Sequence, residues 1–296
     1  RLINSADSAL TWYEKIQDKS IMSTQDIINY SEVLLLNGEY QKAQQLGDSL
    51  EIPIERLSRI DEIDDIPNDT ISFEIENVSF NTAEADFGPT YYRDGIVFTS
   101  GRESKKLFQS KYYWDASFFL DLYYAQSAES TNDQVLSFSK KINTTYHEGP
   151  AVFYNNDQNI IFTRNGFNQG RKTLSEEGEN HLYLYQSAYK ASKDKWERSK
   201  LLSFSSDKYS VGHPTITSDA KRLYFASDMP NAIGESDIYY SDFVNGDWLD
   251  PVNVGDKINT SAQELFPFIF QDSILYFASK GHVGLGGFDL YKINLN

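Results

Sequence analysis

The feature that most constrains this chain is a pattern of proline, aspartate and phenylalanine that recurs four times. Successive prolines lie 53 to 64 residues apart, and each is followed by an aspartate and then by a phenylalanine. The pattern consists of Pro89, Pro150, Pro214 and Pro267, then Asp94, Asp157, Asp219 and Asp272, then Phe98, Phe162, Phe225 and Phe277. Runs rich in aromatic and β-branched residues flank each aspartate, which is typical of two strands joined by a turn.

A third strand is predicted after each phenylalanine, in the stretches "DLYYAQ", "HLYLYQ", "DIYYSD" and "DLYKIN". A fourth strand is predicted before the next proline, where "KINT" appears at Lys141 and again at Lys257. Four-stranded antiparallel units repeated at this period are blades of a β-propeller, packed on each other through the recurring phenylalanines. We therefore predict a mainly β chain with a propeller over residues 71–296. Four blades are visible. Either the ring closes with four, or further blades lie in residues outside this sequence, and we expect the second.

The stretch "ISFEIENVSF" at residues 71–80 precedes the first blade and has no blade of its own. We expect it to pair as the outer strand of the last blade and so close the ring.

The glycine-rich stretch "SKGHVGLGGFD" has two interpretations, a phosphate-binding loop or a tight connection between strands. It runs from Ser279 to Asp289 and has the same length as Ser227 to Asp237 in the preceding unit. A strand is predicted after it, whereas a nucleotide-binding glycine loop opens a helix. We interpret Gly284, Gly286 and Gly287 as residues that allow positive φ angles and close backbone approach.

Residues 1–52 are predicted to be helical, because apolar residues recur at three- and four-residue spacing without an internal proline. Ala9 and Ala43 are 34 residues apart, and "NGEYQKA" at residues 37–43 resembles the turn of a tetratricopeptide repeat. A generic helical hairpin is the alternative. Residues 53–70 are predicted to be an acidic linker, whose carboxylates lack the pattern of a calcium loop.

Composition narrows the classes of partner. The net charge is −16, which argues against nucleic acid because phosphate binding needs a basic face. There is no cysteine, so disulfides and thiolate metal sites are excluded. No apolar run approaches the roughly 20 residues of a membrane-spanning helix. The chain starts at Arg1, and we expect it to be a fragment whose processing signals lie upstream.

Motifs for catalysis are missing from the sequence. His147, His181, His213 and His282 have no metal-ligand spacing, and no G-x-S-x-G elbow occurs. The repeated aspartates are expected to stabilise turns, because an active site needs only one copy. We predict no catalytic, cofactor-binding or metal-binding residues, although paired carboxylates for glycoside hydrolysis stay open in so acidic a chain.

Two insertions concentrate basic and aromatic residues between the second and third strands of the first two blades, at residues 101–119 and 164–181. Loops that grow on a repeat scaffold often carry binding. We predict that they form a partner surface, with harmless loop variation as the alternative. The predicted contact residues are Tyr112, Tyr113, Trp114, Arg164, Phe167 and Arg171.

The third and fourth units carry a more specific pattern, "W..P..VG..INT..E..P" followed by "LYFAS" and "G.GGFDLY". Its residues are Trp248, Pro251, Val254, Gly255, Ile258, Asn259, Thr260, Glu264 and Pro267. This pattern resembles the TolB-like, WD-repeat-like propellers of periplasmic OmpA-family proteins in gliding and type IX secreting bacteria. The first two units match less well, and His181 replaces the usual aspartate.

The resemblance implies a non-enzymatic adaptor in the periplasm, associated with the outer membrane through a lipoprotein anchor upstream of Arg1. The implied partner is an outer-membrane β-barrel or another subunit of a type IX secretion or gliding complex. Peptidoglycan binding is implied only for an OmpA-like domain that these residues do not include. The alternatives are a propeller that senses a glycan or peptide in its central channel, and a glycoside hydrolase.

Overall fold

The computed structural model describes residues 6–16, 18–49, 74–103, 117–168, 171–172 and 178–295. Three helices come first: α1 Ala6–Glu14, α2 Thr24–Leu36 and α3 Tyr40–Ser49. Ser23 and Asp26 form a capping box at the start of α2, and Gly38 adopts a positive φ in the turn that follows. The helical N-terminal segment is confirmed, whereas the predicted linker at 53–70 lies outside the described residues.

Each blade begins with an inner strand that pairs antiparallel with a second strand, which in turn pairs with a third. The inner strands are β1 Asp86–Tyr92, β5 Glu148–Tyr154, β12 Val211–Ile216 and β17 Glu264–Phe270. The second strands are β2 Gly95–Ser100, β6 Asn159–Asn165, β13 Arg222–Ser227 and β18 Ile274–Ser279. The third strands are β3 Asp121–Ala125, β9 Leu182–Lys190, β14 Asp237–Val244 and β19 Asp289–Asn294. The repeating unit predicted from the sequence is confirmed.

The outer strands are short. They are β4 Leu136–Ser137 in the first blade, β10 Lys195–Trp196 and β11 Lys200–Leu201 in the second, and β15 Asp247–Trp248 and β16 Val252–Asn253 in the third. A separate hairpin in the second insertion joins β7 Phe167–Asn168 to β8 Arg171–Lys172. In the fourth blade the described residues supply three strands.

The four blades form a propeller ring, in which each inner strand lies beside the next one along the chain. Three apolar clusters fill the spaces between consecutive blades. The recurring Phe98, Phe162, Phe225 and Phe277 are all buried. Their burial confirms that these phenylalanines are core residues, and the last three lie in the clusters between blades.

Every inner strand contains a bulge next to its proline. Pro89, Pro214 and Pro267 occupy the same place in the register, but Pro150 lies one residue earlier. The equivalents of Pro150 are Gly88, His213 and Phe266, and all three adopt positive φ. Proline cannot adopt that conformation, so the bulge of the second blade differs locally.

Residues 74–79 form no strand, so the expected ring-closing strand is wrong for the described part of the 71–80 stretch. Instead, Val78 and Phe80 pack on Phe98, Tyr123 and Ala125 of the first blade. The apolar residues of this stretch are therefore used by the blade that follows it.

The glycine-rich connection of the fourth blade leads into β19 and not into a helix, as expected. Gly286 and Gly287 adopt positive φ, and an added Cβ at Gly286 would lie 3.0 Å from the backbone nitrogen of Leu36. The Gly287 N–H donates to the Glu32 carboxylate over 3.3 Å. These glycines let the helical segment approach the fourth blade.

Candidate interaction surfaces

Three carboxylates at the start of the inner strands are enclosed by their own blades. Asp86, Glu148 and Glu264 accept hydrogen bonds from both the backbone N–H and the hydroxyl of Thr82, Thr144 and Thr260, over 2.6 to 2.9 Å. This motif was not predicted, although the sequence has a threonine four residues before an acidic residue in three of the four units. The third unit has Val211 at the acidic position.

Arg164 binds the second of these carboxylates, Glu148. Its guanidinium pairs with Glu148 at 2.8 Å and also donates to the Ile142 carbonyl and the Ser199 hydroxyl. Burial raises the pKa of Glu148 to about 7, although Arg164 and Thr144 oppose the shift. Arg164 was assigned to a partner surface from the sequence, but its side chain is buried among these groups.

Arg102 plays the same part in the first blade. It pairs with Asp86 at 2.9 Å and donates to the Phe80 carbonyl. Burial alone would raise the pKa of Asp86, but hydrogen bonds from Ser100, Arg102 and Thr82 outweigh it and lower the pKa. In the fourth blade, His282 Nε2 lies 2.9 Å from the equivalent carbonyl of Ile258.

The bulge residues of the inner strands meet near the axis of the ring. An added Cβ on Gly88 would lie 2.8 Å from Pro150, and the rings of His213 and Phe266 stack with centroids 3.8 Å apart. Phe87 meets Phe266 edge-on at 6.3 Å, which joins the first blade to the fourth. Burial lowers the pKa of His213 to about 4, so this ring is neutral at pH 7. The bulge residues near the axis of the ring are therefore a glycine, a proline and two stacked aromatic rings.

The repeated aspartates act in two ways. Asp157 accepts from the backbone N–H of Arg93, and Asp272 from that of Ser218, both over 2.7 Å. These two bonds tie a turn to the turn of the preceding blade. Asp219 bonds Thr217 within its own turn, and Asp94 accepts from the Tyr124 hydroxyl.

The other predicted partner residues are placed only in part. Tyr112, Tyr113 and Trp114 lie outside the described residues. Phe167 and Arg171 belong to the β7–β8 hairpin, where Phe167 pairs with Lys172 and Arg171 with Asn168. A partner surface on these two insertions stays a prediction.

Both ends of the row of blades leave apolar side chains in water. The first-blade open face consists of Tyr91 and Ile96, and it borders a cavity of about 530 Å³ whose lining also includes the buried Phe98, and Phe268 of the fourth blade. The fourth-blade open face consists of Phe268, Phe270, Tyr276 and Leu290. Tyr91 and Leu290 are each 84% exposed and Phe268 is 56% exposed. Exposed apolar surface of this kind marks interaction sites.

A second surface feature is a cleft of about 470 Å³ between the first two blades, which we call the aromatic cleft. Tyr92, Phe138, Tyr189 and Trp196 form its aromatic wall, and their rings contact one another. Arg93, Lys140, Lys141 and Lys195 line the same cleft. The cleft therefore combines aromatic side chains, of which Tyr92 and Trp196 are largely buried, with four cations and with the carboxylates of Asp94 and Asp194.

Within the described ranges, no group of three or more histidine, aspartate or glutamate side chains is arranged to hold a metal ion. No helix in the described part of the chain has both the length and the apolar character to cross a membrane.

No protein-family model matches the sequence, and no curated protein is significantly similar to it. Among solved structures, a glycoside hydrolase superposes with a TM-score of 0.45 at 12% identity, over 70% of this chain and 64% of its own. A Dyadobacter fermentans protein of unknown function gives 0.44 at 11%, over 70% and 59%. A puromycin-hydrolysing peptidase of Mycobacterium tuberculosis gives 0.41 at 10%, over 71% and 28%. This chain thus spans less than two thirds of each, and the likeness concerns the fold alone.

Proposed function

We propose that this chain is a non-enzymatic scaffold that acts through protein–protein contacts. The observation that carries the proposal is the exposed apolar surface at both ends of the row of blades. Leaving Tyr91 and Leu290 in water forgoes about 25 cal/mol for every Å² of apolar surface that a partner would cover. The enclosure of Asp86, Glu148 and Glu264 within their own blades supports a role other than hydrolysis.

The finer proposal follows the resemblance of the third and fourth units. The protein works in the periplasm and is held at the outer membrane by a lipoprotein anchor. It links an outer-membrane β-barrel, or another subunit of a type IX secretion or gliding complex, to the cell envelope. The helical segment and the two insertions add further contact surface.

The test is crosslinking of the tagged protein in the envelope of its source bacterium, followed by purification and mass spectrometry. We expect type IX or gliding subunits to be recovered. Tyr91→Glu and Leu290→Glu should each lower that recovery several-fold, because a charge replaces an exposed apolar contact. Lys221→Glu, an exposed change away from both open faces, is the control. Unchanged recovery with both face variants contradicts the proposal.

A second candidate function rests on the aromatic cleft, where Arg93, Lys140, Lys141 and Lys195 outnumber the two aspartates of the lining and could bind an anionic glycan or acidic peptide. The test is titration with uronic-acid oligosaccharides or poly-glutamate, followed by tryptophan fluorescence. Lys140→Glu and Lys195→Glu should abolish any saturable change. A linear response in the unmodified protein contradicts this candidate.

A further inference from the structure

The three interfaces within the chain all join the same two kinds of face. Leu122, Leu184 and Ile238, one on each third strand, are fully buried and face the following blade. Phe153, Ile216 and Ile269, one on each inner strand, are buried and face the preceding blade. The chain therefore makes one type of interface three times.

The two open faces are the unused halves of this interface. By register, Leu290 occupies the place of Leu122, and Tyr91 occupies the place of Phe153. These two residues are 84% exposed, whereas their equivalents are less than 10% exposed. The fourth-blade open face and the first-blade open face are therefore complementary in the same sense as faces that already pack together.

A side-chain clamp accompanies the interface and is also left unused. Asn143 accepts from the N–H of Leu122 and donates to its carbonyl, over 3.0 and 2.8 Å. Asn259 does the same to Ile238, over 2.8 and 2.9 Å. Asn81 precedes the first blade at the equivalent place, but it is exposed and its amide lies 3.4 Å from the Asn77 side chain. By analogy with Asn143 and Asn259, the group that Asn81 would bind is the backbone of a residue equivalent to Leu122, such as Leu290.

The residues that the structure describes do not cover these groups. Phe87 and Phe266 already bring the first and fourth blades together at the axis, yet Tyr91 and Leu290 stay exposed. Contact at the axis therefore leaves the outer parts of the two faces apart.

We propose that the fourth-blade open face of one copy binds the first-blade open face of a second copy. A second copy carries the required face, the required register and the clamp residue Asn81. This inference rests on the proposed scaffold function and names the partner of its apolar surface. Such a contact is head-to-tail, so it leaves a free face at each end and propagates unless it closes into a ring.

Charge gives the contact a distinctive salt dependence. Each copy carries a net charge of −16, so two copies repel each other at low ionic strength. The open faces themselves are mainly apolar and aromatic, with Lys292 beside Tyr276 as a charged residue of the fourth-blade face. Added salt screens the repulsion without weakening the apolar contact, so association should tighten as salt rises.

The test uses the absence of cysteine from the sequence. Tyr92 and Phe153 have ring centroids 4.4 Å apart in the first interface, and their equivalents across copies are Phe270 and Tyr91. A Phe270→Cys chain is mixed with a size-tagged Tyr91→Cys chain and oxidised mildly. We expect a disulfide-linked heterodimer whose yield rises with salt and falls several-fold when Leu290→Glu is added. Lys221→Cys with Tyr91→Cys is the control pair.

Heterodimer yield no higher than in the control pair overturns the inference. So does a Tyr91→Cys/Phe270→Cys double variant that crosslinks only within single chains, because the ring then closes on itself. Both cysteine sites are exposed, so folding is not at risk. If crosslinking fails while Leu290→Glu still lowers recovery of envelope subunits, the inference fails and the proposed function stands. If Leu290→Glu and Tyr91→Glu also leave that recovery unchanged, both fail.

Discussion

At the scale of single residues, the asparagine clamp makes the sharpest prediction. Asn143→Ala leaves the N–H and carbonyl of buried Leu122 with fewer partners, and an unpaired buried group costs about 1–3 kcal/mol. We expect the free energy of unfolding in urea to fall by roughly 2 kcal/mol. Asn81→Ala is the matched control, because the same side chain is exposed there. Equal effects of the two changes would contradict the clamp.

A second residue-scale prediction concerns pH. Burial raises the pKa of Glu148 to about 7, so between its usual value of 4.5 and 7 the folded state holds a proton that the unfolded state has released. The contribution of this group to the free energy of unfolding is therefore full at low pH and is lost as pH rises through the folded pKa.

Glu148→Gln removes this titration while keeping the shape of the side chain. The stability advantage of the unmodified protein over the variant should thus shrink from about pH 5 to about pH 7.5, as measured by urea unfolding at each pH. An advantage that grows over this range would contradict the raised pKa.

At the scale of elements, the bulge in each inner strand has a testable requirement. Gly88 adopts φ +60°, and a Cβ there would lie 2.8 Å from the Pro150 ring. Gly88→Ala should therefore lower the free energy of unfolding by about 1–3 kcal/mol through strain and overpacking. Gly246→Ala shares the positive φ but faces open space, so it should cost less. A larger loss at Gly246 would show that crowding at the axis is unimportant.

The strands were predictable because the same local sequence pattern occurs four times. Aromatic and β-branched runs around Asp94, Asp157, Asp219 and Asp272 each indicate two strands and a turn, and repetition removes the ambiguity of a single run. The role of residues 71–80 was not predictable in the same way. Phe80 and the Asn81 that follows match Ile142–Asn143 and Ile258–Asn259, which precede the second and fourth blades, and a match does not say which neighbour the segment contacts.

The contacts of surface residues were harder to predict from the sequence than those of the core. Arg164 is basic and lies at the edge of an insertion, which suggested a partner contact. The structure pairs it with Glu148, sixteen residues away across β5 and β6. The open faces gave no sequence signal, because Leu290 and Tyr91 have the same character as their buried equivalents. The exposure of a repeated position depends on whether another blade packs against it.

At the scale of the whole molecule, each blade packs only on its neighbours in the ring. Equivalent positions should therefore contribute differently to the free energy of unfolding, depending on whether a neighbouring blade covers them. Leu184 is fully buried between the second and third blades, so Leu184→Ala should lower the free energy of unfolding by about 2–5 kcal/mol. Leu290→Ala, the same change at the equivalent exposed position, should have little effect in dilute solution.

Above the concentration at which copies associate, Leu290→Ala should lower the melting temperature relative to the unmodified protein, because stability gained from association follows mass action. Differential scanning calorimetry across protein concentrations measures both effects. A large loss for Leu290→Ala in dilute solution would mean that the fourth-blade open face is already covered within one chain.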